Sequence, residues 1–311
     1  MLAIETTGLT KDYGAGRGLF DLDLRVEQGE VFGYLGPNGA GKSTTIRVLM
    51  DLARATRGGA RIFGLDAHGD SVAVKRRTGY LPGELADFGG LRGAEVVAYM
   101  AGLRGGVDDS EVRGICERFD LDLGQRYREY SRGTKQKLAI VLACMHRPDL
   151  LVLDEPTSGL DPLNQQAFYE LLRERAHCGA TVFLSSHILS EVERVCDRVG
   201  IIREGRLVAV DRLDALHHMR VHRVEMEFAG APPLAQVRAA SGVSNVSVDD
   251  GGHLHCDVQG SFESLLRAVA GSTVVNLTST EPTLEEVFLT YYRGDGHVAG
   301  AAALEEAAAG R

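Results

Sequence analysis

The chain has 311 residues, of which 44% are hydrophobic and 25% charged, and carries a net charge of −9 at pH 7. That length accommodates one large domain or two modest ones around a substantial core, and the acidic balance excludes a nucleic-acid binder that depends on broad basic surface to displace counterions from phosphate. The five cysteines form no CxxC pair, as befits reduced thiols rather than a disulfide framework, and no apolar run approaches the ~20 residues that span a bilayer, so any membrane role is indirect.

The first residues, MLAIETTGLTKDYG, lack the basic segment and apolar stretch of a secretory leader, and none is expected. Residues 31–35 read as a buried strand that ends in a Gly-rich turn, and residues 44–50 as the apolar-periodic helix that follows. The continuous apolar runs at 150–153 and 181–184 predict parallel strands covered on both faces. Helical patterns occupy 135–145, 164–177 and 189–197, which together make an α/β layer pattern. From about residue 220 the texture changes to alternation at 224–228, 243–248 and 254–258, with helical patterns at 234–240, 262–269 and 284–292. This β-α-β-β-α-β order with a final helix predicts a ferredoxin-like α+β domain. Domain boundaries follow at 1–219 and 220–293, with 294–311, rich in Ala and Gly, expected to be a disordered tail.

Gly36-Pro37-Asn38-Gly39-Ala40-Gly41-Lys42-Ser43 is a complete P-loop between a predicted strand and a predicted helix that Thr44 continues. Glycines let backbone N–H groups turn inward around phosphates, and the helix N-terminus adds positive potential. Lys42 is placed to reach the β- and γ-phosphates and Ser43 to offer its hydroxyl to Mg²⁺. Leu150-Leu151-Val152-Leu153-Asp154-Glu155 delivers two carboxylates at the end of a buried strand, the ligand-binding edge of such sheets. Asp154 is assigned to Mg²⁺ and Glu155 to the attacking water as general base. His253-Leu254-His255-Cys256 puts two imidazoles on one strand face and the thiol on the other. No third ligand is evident there, and ordinary strand alternation explains it.

Tyr130-Ser131-Arg132-Gly133-Thr134-Lys135-Gln136, just upstream of the second carboxylate strand, resembles the signature of the ABC ATPases, usually LSGGQ. With Asp161 in Ser158-Gly159-Leu160-Asp161 and His187 in Ser185-Ser186-His187, at the family's D-loop and H-loop positions, residues 1–219 resemble an ABC cassette. The fold implied is a parallel core sheet with an antiparallel β subdomain and a helical subdomain. Tyr80-Leu81-Pro82-Gly83-Glu84 and Glu281-Pro282-Thr283-Leu284-Glu285-Glu286-Val287-Phe288 resemble the ABC-2-type branch, which includes drug and antibiotic efflux ATPases and often carries a C-terminal appendage.

The resemblance implies that ATP is sandwiched between two cassettes, a second copy or a homologous chain supplying the signature residues Ser131, Arg132, Gly133 and Thr134 in trans. It implies that Tyr13 stacks on adenine and that Lys42, Glu155 and His187 carry hydrolysis. It further implies a separate multi-spanning permease, a location at the cytoplasmic face of the cell membrane, and no nucleic-acid partner. A soluble ABC ATPase acting on ribosomes or DNA is the competing reading; it fits less well because the chain has one P-loop and no heptad run. Two positions depart from the family. Gly83 replaces the Q-loop glutamine, so that function is missing or passes to Glu84, and Arg132 replaces the first glycine of the signature, where a cationic side chain at a helix start is expected to point to solvent.

Overall fold

The computed structural model describes residues 1–213, 221–249 and 251–280, in two compact units, Met1–Leu213 and Asp214–Arg311. The division falls a few residues ahead of the 219/220 boundary drawn from composition.

The first unit opens with β1 (Leu2–Asp12), β2 (Gly18–Leu22), β3 (Arg25–Glu27) and β4 (Val31–Leu35), followed by α1 (Lys42–Leu49). Next come β5 (Arg57–Ile62), β6 (Leu65–Asp66), α2 (Ser71–Arg77), β7 (Thr78–Leu81), α3 (Gly93–Leu103) and α4 (Asp109–Arg118). The unit is completed by α5 (Arg132–Cys144), β8 (Leu150–Asp154), α6 (Pro162–His177), β9 (Thr181–Ser186), α7 (Leu189–Val195), β10 (Arg198–Arg203) and β11 (Arg206–Arg212). One sheet runs β11-β10-β4-β9-β8-β7, parallel from β10 to β7 with β11 antiparallel at the edge. β1, β2, β3, β5 and β6 form a separate antiparallel sheet.

The apolar runs explain the layering. β4, β8 and β9 are buried at every position, and their side chains alternate between two cores. Leu151, Leu153, Val182 and Leu184 pack with Leu138 and Val141 of α5 and Phe168 and Leu172 of α6. Phe32, Tyr34, Leu150, Val152 and Phe183 pack on the other side with Ile46 and Leu49 of α1. Phe183 stacks on Phe32 with ring centroids 5.9 Å apart. Burying side chains of this size gives about 1.5–3 kcal/mol each, so the sheet edge that carries the loops is a rigid base.

Helix starts are set by caps that periodicity did not register. α5 begins at Arg132, ahead of its apolar pattern, because Ser131 Oγ accepts from Thr134 N at 3.1 Å. α6 begins at Pro162 because Asp161 accepts from Leu163 N and Asn164 N, and proline suits the first helical position.

The second unit runs β12 (Val221–Phe228), α8 (Leu234–Ala239), β13 (Val243–Val248), β14 (Leu254–Gln259), α9 (Glu263–Val269) and β15 (Val274–Thr280). Its antiparallel sheet has the order β13-β14-β12-β15, the ferredoxin-like arrangement, with β15 supplying the fourth strand. Val224, Met226, Leu254, Cys256 and Val258 pack on Val237 of α8 and on Leu265 and Val269 of α9. His253 Nδ1 and His255 Nε2 lie 3.3 and 3.2 Å from Asp249 Oδ2. The His253 N–H, then the His255 ring, hold the Asp249 carboxyl down at about 2. Among the described residues no group of three or more His, Cys, Asp or Glu side chains is arranged to hold a metal ion. The expected helix at 284–292, its Glu281–Phe288 motif and the tail lie outside the described residues.

Candidate functional site

The C-terminal ends of β4, β8 and β9 lie side by side, and each runs into a loop that carries polar chemistry. After β4 the chain turns through the P-loop into α1. Gly41, at the helix N-cap, has φ of 113°, a region that residues with a Cβ rarely enter. At Gly36 a Cβ would stand 2.4 Å from Ile202 O, so the loop can close against β10 only without one. Pro37, Asn38, Gly39 and Ser43 are exposed, Thr44 is half-buried and Ala40 is buried. Lys42 is only 5% exposed. Its Nζ donates to Gly36 O at 2.6 Å and Pro37 O at 3.3 Å, and stands 3.3 Å from Glu155 Oε1.

Asp154, the last residue of β8, is 4% exposed and accepts from Ser185 Oγ at 2.5 Å. Its Oδ2 faces position 83, where a Cβ would lie 3.1 Å away. Glu155 leaves the strand at φ of 49°, which turns its side chain toward the neighbouring loops. Oε2 contacts His187 Nδ1 at 2.7 Å. Oε1 is buried and within ion-pair distance of Lys42, yet has no hydrogen-bond partner. Lys42, Glu155 and His187 thus form one chain of contacts beside Asp154. The buried Asp154 carboxylate and the exposed Ser43 hydroxyl are hard donors of the kind Mg²⁺ takes together with substrate phosphates and water, and the orphaned Glu155 oxygen stays free beside them. The residues present fit that ion.

The signature segment lies against its own D-loop. Arg132 is exposed, as its place at a helix start suggested, and its Nη2 also donates to Ser158 Oγ at 2.7 Å. Its stem lies along Gly159, which lacks a side chain to obstruct it. A Cβ at Gly133 would meet Gly159 O at 2.7 Å, so the glycine permits this close approach. The Ser131 hydroxyl is shared between the Thr134 N–H and the Thr134 hydroxyl, 2.8 Å away. Asp161 caps α6, and the Asn164 N–H above all holds its carboxyl below the usual range. Tyr13 is 48% exposed, with the Lys11 ammonium 5.0 Å over its ring. Glu84 is exposed, and it is Gly83 that flanks Asp154.

Sequence reasoning gave no role to Ser185, Ser158, Gln136 or Glu191. Gln136 Nε2 donates to Pro156 O at 2.6 Å and so braces the loop after β8. The available signal was polarity at positions where a buried strand or helix face demands apolar side chains, as in the run Ser185-Ser186.

Residues 19–158 match the family described as ABC transporter. Along nearly its whole length the chain is similar to the bacitracin transport ATP-binding protein BcrA of Enterococcus faecalis, 33% identical over 94% of this chain and 97% of that protein. It is 34% identical to the daunorubicin resistance ATP-binding protein DrrA3 of Streptomyces coeruleorubidus, over 96% of this chain and 99% of that one. A solved ATP-binding subunit of an ABC transporter superposes with a TM-score of 0.65 at 33% identity, covering 70% of this chain and 92% of that structure.

Proposed function

The chain belongs to the ABC transporter family, and from that premise we propose that it is the ATP-hydrolysing motor subunit of an exporter whose membrane-spanning part is a separate permease. The observation that carries this reading is the Lys42–Glu155–His187 contact chain, 3.3 and 2.7 Å per link, beside the buried Asp154.

ATP enters with its adenine on the exposed Tyr13 ring and its phosphates in the loop from Gly36 to Thr44. The phosphates draw Lys42 Nζ from the carbonyls of Gly36 and Pro37, which frees Glu155 Oε1. His187 occupies Oε2, so Oε1 is the oxygen left to take a proton from the attacking water, while His187 holds the carboxylate in line. Ser43 and Asp154 would hold Mg²⁺, which would supply positive charge against the phosphates. Ser131, Arg132, Gly133 and Thr134 of a second copy, or of a homologous cassette, close the site from across the interface.

Among the described residues no helix is long and apolar enough to cross a membrane; the likeness to the transport ATP-binding proteins BcrA and DrrA3 supports a separate permease and a peripheral place at the cytoplasmic face. An apolar cavity of about 320 Å³, lined by Met50, Leu52, Tyr80, Pro82, Phe88 and Met100, adjoins the Gly83 loop, and its apolar lining supports reading it as the surface that meets the permease. The resistance and transport functions in the names of BcrA and DrrA3 support drug efflux as the work done. The second unit is read as a regulatory or dimer-stabilising module. Glu155→Gln tests the central claim. Loss of a general base should slow hydrolysis about 10²–10⁴-fold while ATP still binds; turnover like that of the unaltered protein would refute the assignment.

A further inference from the structure

We propose that Glu191 is a positioning residue for hydrolysis, tying the loop after β8 to the end of β9 so that Glu155 and His187 stay in contact. It sits in the first turn of α7 and is 5% exposed, an unusual place for a carboxylate outside the nucleotide site. One oxygen accepts from Thr157 Oγ1. The other accepts from Ser186 Oγ at 2.6 Å. Both hydroxyl residues are themselves buried, at 5% and 0% exposure.

The sequence positions of these partners give the arrangement its meaning. Thr157 follows Glu155 by two residues, and Ser186 immediately precedes His187. The pairing of β8 with β9 ends at Asp154↔Ser185. Glu155 N still donates to Ser185 O at 3.2 Å, the last bond across the ladder, so it is His187 that lies beyond it, where pairing with β8 no longer sets its distance from Glu155. Glu191 adds a tie from behind, one oxygen on the loop after β8 at Thr157 and the other on Ser186, the last residue of β9 before His187. Ser186 Oγ also accepts from Ile188 N at 2.9 Å, so the residues on both sides of His187 are held. Burying a carboxylate is costly unless its oxygens are hydrogen-bonded, and without it Thr157 Oγ1 loses its buried acceptor while Ser186 Oγ keeps only the longer contact to Ile188 O at 3.3 Å. The two segments are thereby coupled: displacement of either one breaks a buried bond of the other.

This inference rests on the reading of Glu155 and His187 as the hydrolytic pair, and the test separates the two. Glu191→Gln keeps the volume but puts an amide donor where an acceptor is needed. The full chain carrying it is expected to show kcat for ATP about tenfold lower with KM within about twofold of the unaltered protein, a split that a purely structural residue would not produce per folded molecule. Ser186→Ala and Thr157→Val each remove one arm and are expected to lower kcat at least about threefold, again with KM unchanged. If Glu191→Gln does not fold, these two variants decide. Turnover within about twofold of the unaltered protein in the folded variants, or a change confined to KM, overturns the proposal. His187→Ala is measured alongside. If it retains full turnover, the hydrolytic-pair reading fails; if it is inactive while the Glu191 and Ser186 variants are active, only the role of Glu191 fails.

Discussion

Ser185→Ala removes a single hydroxyl from the interior of β9 and tests whether Asp154 depends on it. Ser185 is 0% exposed and donates to Asp154 Oδ1 at 2.5 Å, and Asp154 is itself 4% exposed, so bulk water has little access to replace the donor. A hydrogen bond to a charged group contributes about 1.5–3 kcal/mol. If the entire loss falls on folding, Tm drops by about 3–12 °C, at about 2–4 °C per kcal/mol for a unit of this size. If it falls on the orientation of the carboxylate toward Mg-ATP, turnover drops about 10- to 150-fold. The same energy can be divided between the two, so both are measured: calorimetric Tm without nucleotide, and ATP hydrolysis across a Mg²⁺ titration well below that Tm. A Tm within about 1 °C together with kcat within about twofold of the unaltered protein would show that the hydroxyl contributes less than a charged hydrogen bond should, and would refute the reasoning.

Glu84→Ala is expected to lower turnover at least about tenfold, near 1.4 kcal/mol of transition-state stabilisation, if Glu84 stands in for the glutamine that Gly83 lacks; a change under about twofold at saturating Mg-ATP removes it from the site. Burial, and then Arg104, holds the His146 imidazole at about 4, below its ordinary 6.5. The unfolded chain therefore takes up this proton before the native one does, and stability present above pH 6.5 is lost as pH falls toward 4. His146→Gln, which can still donate to Thr78 O, should lessen the fall in Tm between about pH 7 and pH 5; an unchanged fall refutes the attribution. Truncation after Arg220 should leave ATP affinity within about threefold, under ~0.7 kcal/mol, while weakening dimerisation or coupling to the permease. Loss of nucleotide binding in a truncated protein that still folds would show that the cassette does not stand alone.

Much of this protein was legible in its sequence because its determinants are local. The P-loop is a contiguous run whose glycines are required by backbone geometry, and the buried strands are contiguous apolar runs whose ends deliver Asp154-Glu155 and His187. Even the ferredoxin-like order of the second unit followed from period-2 and period-3.6 patterns taken in turn, although β15 was not located residue by residue.

What the sequence could not determine is which polar groups meet across the strands. Ser185 reads as an interruption in an apolar run until β9 is laid beside β8 and its hydroxyl meets Asp154. Arg132 reads as a solvated helix start and is exposed, but only the fold brings Ser158 and Gly159 against it. Glu191 reads as an ordinary acidic residue near a helix N-terminus until α7 folds back and sets it between Thr157 and Ser186. Each pairing joins residues 26 to 34 positions apart, or links two segments through a third, with no periodicity to announce it. Hydrophobic pattern specifies which face is buried; only the packed sheet decides which buried polar atoms find one another.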